Sequence, residues 1–400
     1  MDFDLIISGG GPAGLCLARA LSGCGLRLAV VEQQPLAALE NPAFDGREIA
    51  LTQHSAQLMR HLGLWDRIEP NALSPLRDAR VLNGPSPFAM VIGHGLGKHS
   101  ELGWLVSNHL IRRAAFEAVH ESLQKNGDIT LMAGETVASV RTDRGVAHVT
   151  LASGATLQAR LLVAADSRFS TTRRAMGIAA DLHDFGRSML VCCMTHDVSH
   201  EHAAWEWFGY GQTLALLPMN DDPATAKHRS SVVLTLPSHE IDPLVTLAPD
   251  EFNRQMAHRF EQRLGTMALA STRHAYPLVA VYPRRLIGQR FACVGDAAVG
   301  MHPVTAHGFN FGLLSIDNLA GIVRAAQAAG RDIAAPVGLE RYEQTQRRAT
   351  RPLYLATQLI TQIYTHDTPP ARALRNLALH VGERFTPFKR LIAASLTGGR

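Results

Sequence analysis

The opening stretch MDFDLIISGGGPAG constrains this chain more than any other part of it. An apolar run from Asp4 to Ser8 reads as a buried strand, and Gly9, Gly11 and Gly14 follow at G-x-G-x-x-G spacing before the helical LCLARALSGCG. Each glycine has its own physical reason. Gly9 permits a tight turn, Gly11 lets a pyrophosphate approach the backbone, and Gly14 lets the helix pack close to the strand, while the helix N-terminus offers unbonded N–H groups and a favourable dipole. A second strand, Leu26 to Gln33, carries Glu32 at 18 residues past Gly14, where a carboxylate can accept hydrogen bonds from both hydroxyls of an adenosine ribose. The triplet alone would mean only a glycine-rich turn. Strand, helix, second strand and terminal acid in this order predict a Rossmann-like dinucleotide-binding unit in an α/β chain.

Further along, a proline- and alanine-rich loop leads to FDGREIALTQHSAQLMRHLGLW, helical from Thr52 with Gly63 as its C-cap. Arg47, just before it, is either a solvated loop charge or a partner for the phosphates or ribose of a cofactor. GHGLGKHS lacks the closing pattern of a phosphate loop and reads as a plain loop. WLVSNHLIRRAAFEAVHESLQ reads as a strand end running into a helix, and the segment from Ile129 as a three-stranded meander followed by the apolar strand ARLLVAA. That strand ends in Asp166 and Ser167, at the carboxyl edge of a sheet where open α/β sheets place ligands. Asp166 could equally cap the helix that follows.

From Asp181 to about Pro283 the chain is rich in strand patterns, with a helix around Pro249 to Leu264. The aromatic side chains Trp205, Trp207, Phe208 and Tyr210 in this region read as core packing. A second informative stretch, RFACVGDAAVGMHPVTAHGFNFGLLSIDNLAGIV, runs from a buried strand (Phe291 to Val294) into Asp296, then His302, and a long helix opened by Gly308 and Asn310. Asp296 could hydrogen-bond a polyol hydroxyl or act as a cap. The N-terminus of the helix after His307 would present N–H groups to an anion, as the N1/O2 edge of a reduced flavin requires.

Composition narrows the alternatives. At 46% hydrophobic over 400 residues the chain can bury a large core, and an excess of 4 basic over acidic residues does not indicate nucleic acid. Five cysteines without a C-x-x-C pair support neither a disulfide framework nor zinc, and no metal-ligand spacing occurs among 19 histidines, so no metal is expected. With acidic residues at its start and no long apolar run, the chain reads as cytoplasmic.

The order GGGPAG with Glu32, then AADSRFSTTRR, then GDAAVGMHPVTAHGFNFGL resembles the FAD-dependent single-component aromatic hydroxylases over nearly the whole chain, and within them the ubiquinone-biosynthesis hydroxylases. The resemblance implies that Gly9, Gly11, Gly14 and Glu32 bind the ADP half of FAD and that Arg47 lies near its phosphates. Asp296 would hold the ribityl or pyrophosphate region, and Asp166 would stand in the family's Asp-Gly pair, which serves both FAD and NAD(P)H. The helix from Gly308 and Asn310 would face the flavin ring. Two departures stand out. Ser167 replaces a glycine, and VTAHGFN replaces a loop closer to L-A-G-Q-G-L-N, so that His307 stands where a glutamine is common. His307 would be a catalytic proton-transfer group, its unperturbed pKa being about 6.5, or a loop-packing residue. This variation is similar to the branch assigned to demethoxyubiquinol.

By the same resemblance NAD(P)H reduces FAD, O2 forms a flavin C4a-hydroperoxide, and its distal oxygen goes to the ring of a polyprenyl phenol or quinol, most specifically demethoxyubiquinol. No second G-x-G-x-x-G occurs, so a separate nicotinamide domain is not expected. The expected organisation is FAD-binding segments at 1–75, 101–180 and 285–345, a substrate-domain excursion at 76–100, a β-sheet-rich substrate domain at 181–284 and a C-terminal helical region at 346–400. In that last region Leu355, Leu359 and Ile363, then Leu374, Leu377, Ala378 and Val381, recur at helical spacing among basic residues. Such helices either lie on a membrane surface, peripheral at the inner membrane or on a ubiquinone-biosynthesis complex, or cover the FAD domain. A hydroxylase of a soluble aromatic compound, another flavoenzyme on the same scaffold and a non-catalytic FAD-binding assembly subunit remain as alternatives.

Overall fold

The computed structural model describes residues 1–86, 88–96, 100–209, 211–302 and 307–365, and of the C-terminal stretch residues 379, 380, 383, 389 and 393. The expected helix carrying Leu374, Leu377, Ala378 and Val381 lies outside the described residues, as do Tyr210, the side chain of Ile363 and the loop 303–306.

The fold is mixed α/β, built around two large sheets. The first strand, Phe3–Ser8, pairs in parallel with Leu28–Glu32 on one side and Thr156–Ala164 on the other. Phe291–Cys293 adds in parallel to Thr156–Ala164, and Ile129–Ala133 to Leu28–Glu32. Leu28–Glu32 is buried along its whole length, as strands of a parallel sheet covered on both faces must be. The helices Pro12–Leu21, Asn108–Asn126 and Gly308–Ala328 pack on this sheet through a continuous apolar core.

One sequence expectation is corrected here. Ile129–Ala133 is not the first strand of the meander; it joins the parallel sheet beside Leu28–Glu32. The meander is Val137–Thr142, Ala147–Leu151 and the first half of Thr156–Ala164, and ARLLVAA is the second half of that same strand. Its burial changes with its role. The first residues, paired antiparallel with Ala147–Leu151, include exposed positions, whereas the last four are buried between parallel neighbours.

The second large sheet is mostly antiparallel. Its longest strand, Ala180–His196, pairs with His228–Pro237 and His274–Pro283, and the order continues through Thr213–Met219 and Ala203–Phe208 to Asp78–Asn83 and Ala89–Gly93. One face packs on the helices Ser238–Thr246 and Pro249–Arg259 through Trp207, Phe252, Phe260 and their neighbours. The first of these helices had no sequence prediction, and the second ends at Arg259 rather than near Leu264. The opposite face is left for a cavity. A small sheet of Glu48–Thr52, Gly103–Ser107 and Ser74–Leu76 lies between the two. Thr52 caps the helix Gln53–His61, its hydroxyl accepting the N–H of Ser55.

The long helix Pro336–Thr365 follows, with Leu355 and Leu359 exposed. Among the described residues no helix is long and apolar enough to cross a membrane, and no group of side chains is arranged to hold a metal ion.

Candidate active site

The glycine turn is set by close approaches. Gly9 has φ +110°, and a Cβ there would stand 2.6 Å from the carbonyl oxygen of Ala165. A Cβ on Gly14 would stand 1.9 Å from the carbonyl oxygen of Gly9, so the helix can lie against the strand only without one. Gly11 differs, because nothing lies within 4 Å of where its Cβ would be and it lines a cavity of about 570 Å³. It is the N-cap of the helix Pro12–Leu21 and supplies no side chain to bond the first N–H groups, which leaves them to a ligand.

Glu32 closes the turn from the neighbouring strand. Its Oε2 accepts the N–H of Gly10 at 2.6 Å and its Oε1 that of Gln34 at 2.8 Å. A carboxylate oxygen bonded once can accept again, so ribose hydroxyls remain within its capacity. Gly10, which the sequence pattern does not single out, is about as constrained as Gly9: a Cβ there would stand 2.7 Å from that of Glu32.

The cavity gathers Gly11, Glu32, Arg47, Asp166, Asp296 and Gly308 from the parallel-sheet side. Arg47 is held by Asp45 at 2.6 Å, with its guanidinium 5.5 Å from the centre of the Tyr276 ring. Burial alone would raise the Asp45 carboxyl, but Arg47 and the Asn108 amide hold it below the usual carboxylate range. Asp166 bonds the start of the helix that follows it and keeps one oxygen over. Its Oδ2 accepts the N–H of Thr172 at 3.2 Å, in the helix Thr171–Ala175, whereas its Oδ1 is buried without a partner among the described residues. Asp296 accepts from Arg168 at 3.1 Å, and Arg168 also donates to the carbonyl of Val279 in the second sheet. The imidazole of His302 is pushed down to about 4, by burial first and then by the charge of Arg168.

Gly9, Gly14, His307 and Asn310 are not among the lining residues; the two glycines shape the turn from behind. His307 is 6% exposed, its carbonyl accepts the N–H of Phe311, and its ring stands 5.6 Å from that of Phe311, the geometry of the loop-packing reading. Asn310 spends its amide on the strand Glu48–Thr52, accepting from Thr52 and donating to Ala50. The helix N-terminus beside it does reach the cavity, through Gly308 and Phe309.

From the other sheet come Met189, Val191, Glu206, Phe208, Leu217 and Val233. Two acids in the cavity, Glu48 and Glu206, were missed in the sequence, as was Arg168. A glutamate between two tryptophans in AAWEWF was the available signal for Glu206, and the place of Arg168 two residues past Asp166 was the signal for that side chain.

These residues fit FAD. An open glycine at a helix N-terminus suits a pyrophosphate, a carboxylate at the second strand suits a ribose, and the orphaned Asp166 oxygen and Asp296 suit polyol hydroxyls. The FAD binding domain family matches residues 2–354. Ubiquinone hydroxylase UbiM of Neisseria meningitidis is 44% identical over 99% of this chain and 84% of its own. Ubiquinone hydroxylase UbiL of Rhodospirillum rubrum is 32% identical over 99% and 89%. Among solved structures, p-nitrophenol 4-monooxygenase PnpA of Pseudomonas putida shares the fold, with a TM-score of 0.77 at 19% identity over 99% of this chain and 98% of that one. On these matches, and on a cradle whose donors suit the cofactor, the chain belongs to the FAD binding domain family as a flavoprotein monooxygenase of the ubiquinone-biosynthesis hydroxylase group.

Proposed function

We propose that this monooxygenase hydroxylates the aromatic ring of a polyprenyl phenol or quinol in ubiquinone biosynthesis, with demethoxyubiquinol as the specific substrate. The observation that carries the reading is a single cavity with two unlike walls: a dinucleotide cradle on one side and, on the other, a sheet face that sets Met189, Val191, Phe208, Leu217 and Val233 among a few polar groups. The two relatives named as ubiquinone hydroxylases, each aligned over 99% of the chain, support the substrate class. The demethoxyubiquinol assignment rests on the resemblance of the VTAHGFN loop.

Bound FAD, reduced by NAD(P)H, supplies the redox and oxygen chemistry. The chain's own part is binding, orientation and exclusion of water. Gly9, Gly11 and Gly14 shape the turn that receives the pyrophosphate, and Glu32 takes the adenosine ribose. Arg47 offers its charge to the phosphates, while Asp166 and Asp296 take polyol hydroxyls and the N–H groups at Gly308 meet negative charge on the ring. Phe208, Leu217 and Val233 keep water from the reacting ring. The same reading makes the first sheet the FAD-binding unit, formed from 1–75, 101–180 and 285–345, and the second sheet the substrate unit. It also places the protein peripherally at a membrane surface or biosynthetic complex when it meets a prenylated substrate.

The test is oxygen incorporation. With purified holoenzyme, a short-chain demethoxyubiquinol should stimulate NAD(P)H oxidation and gain one labelled oxygen from 18O2. Hydroxylation of other prenylphenols but not of this quinol would keep the class and remove the specific substrate. Turnover of soluble phenols alone would overturn the quinone reading.

A further inference from the structure

Along the row that crosses the wall of the second sheet from Met90 to Val191, the side chains are apolar except at one position. Register places Met90 opposite Val81, Val81 opposite Glu206, Glu206 opposite Ala215, Ala215 opposite Val233 and Val233 opposite Val191. Glu206 is thus a carboxylic acid flanked by apolar residues on both sides of its row, which passes beyond Val191 to His274. The alternation of Ala203–Phe208 fixes its direction: Trp205 and Trp207 join the core against the helices, and Glu206 and Phe208 face the cavity. Opposite it stands Ala215, which leaves room for its side chain.

Nothing in the fold accounts for an acid there. Glu206 has no hydrogen bond and no ion pair among the described residues, whereas Glu48, another acid lining the cavity, is engaged by the hydroxyl of Ser107. An acid without a partner on an apolar wall costs stability, and burial pushes its carboxyl up to about 8, so that it stands neutral at neutral pH. A neutral carboxylic acid can donate one hydrogen bond and accept others.

We propose that Glu206 is the group that recognises the substrate's ring hydroxyl: its carboxyl, projecting from the apolar row into the cavity, hydrogen-bonds the phenolic or quinolic O–H and sets the position of the ring. This rests on the reading of the substrate as a phenol or quinol. The apolar neighbours Ala215, Val233 and Val191 take the ring face and adjoining apolar substituents, and the acid supplies a polar contact that fixes orientation. Glu206 is a specificity-determining residue in this assignment, and it leaves the oxygen chemistry to the cofactor.

The experiment compares two probes, a short-chain 2-prenylphenol and its O-methyl ether, bound to wild-type, E206L and E206A holoenzyme and read by the perturbation of flavin absorbance. Flavin content and circular dichroism of each variant report folding. Wild type should hold the phenol at least about tenfold more tightly than the ether, because the ether has no O–H to give the carboxyl and carries a methyl group where that bond would form. E206L should lose that preference while still binding both probes through the apolar wall. Should E206L fail to load flavin, E206A, which also removes every polar atom of the side chain, decides: a reduced preference supports the assignment, and an unchanged one overturns it. A purely structural role for Glu206 would shift both affinities together and leave their ratio as in wild type, which also overturns it. If wild type binds neither probe, the phenol or quinol reading itself falls and the assignment with it; if wild type binds both and E206L keeps its preference, only the assignment of Glu206 is overturned.

Discussion

Asn310 Oδ1 accepts the backbone N–H of Thr52 at 3.0 Å, joining positions 258 residues apart. The same amide donates to the carbonyl of Ala50 at 2.9 Å, so one side chain at the start of the helix Gly308–Ala328 fastens the strand Glu48–Thr52 by two bonds. Asn310→Ala strands a buried N–H and a carbonyl at once. It should lower the unfolding free energy of the apoprotein by about 1–3 kcal/mol, read by urea denaturation. A stability equal to wild type would show that water or a rearranged strand replaces both bonds.

Gly11 and Gly14 should separate binding from folding. A Cβ on Gly11 meets open space, and its extended backbone, with φ −69° and ψ −179°, suits any residue. Gly11→Ala should therefore leave the apoprotein within about 0.5 kcal/mol of wild type while weakening FAD. Gly14→Ala forces the helix away from the carbonyl of Gly9 and should cost about 1–3 kcal/mol in addition to the cofactor. Thermal melts with and without FAD distinguish the two. Wild-type FAD affinity in Gly11→Ala would move the pyrophosphate elsewhere.

His196 gives the protein an acid-sensitive edge. It is fully buried; its Nδ1 lies 2.8 Å from the carbonyl of Val198, which requires an N–H there, so Nε2 is left to accept from the hydroxyl of Ser230 at 2.8 Å. Burial pushes its pKa down to about 4, and the nearby His200 and His228 add to the effect. The unfolded chain, titrating at about 6.5, takes up a proton that the folded chain refuses. Stability present above pH 6.5 should fall as pH drops towards 4, by up to roughly 3 kcal/mol. Unfolding free energies at pH 7 and pH 5 measure it, and in His196→Gln the decline should be shallower.

Glu48 works in the opposite sense. Burial raises its carboxyl to about 7, against the bond from Ser107 and the charge of Arg229, which lower it. Between pH 4.5 and 7 the folded chain holds the extra proton. Its contribution is therefore present below 4.5 and lost as pH rises through about 7. Glu48→Gln should remove that loss, so that the variant gains on wild type between pH 5 and pH 8 in the same denaturation assay. A constant difference between the two proteins across that range would contradict the raised carboxyl.

Much of the cradle was legible because its reasons are local. The glycine spacing, the apolar strand before it and the acid at the end of the next strand all lie within the first 32 residues, and the structure brings Gly11 and Glu32 to one cavity. What was not legible depends on partners far away in sequence. The need for glycine at position 10 comes from Glu32, the use of the Asn310 amide comes from Thr52, and the parallel placement of Ile129–Ala133 comes from Leu28–Glu32. A short apolar run shows the same alternation whether it enters a meander or a parallel sheet, so the meander reading failed where only long-range pairing could decide. Glu206 was passed over because the tryptophans beside it signalled core packing, which is true of their face of the strand and not of its own.

The strand Phe291–Cys293 pairs with the end of Thr156–Ala164, and Asp296 follows directly from it. Such distant pairings are slow to form, because a long loop must close before any contact rewards it. A nascent chain released before this strand would already own the glycine turn and Glu32 but not Asp296. On the proposal that Asp296 takes a polyol hydroxyl of FAD, flavin uptake would be a late event in the life of each molecule, and because a ligand stabilises only the state that binds it, the cofactor would favour finished chains over interrupted ones. The colour of a bound flavin would then be a record of completed synthesis.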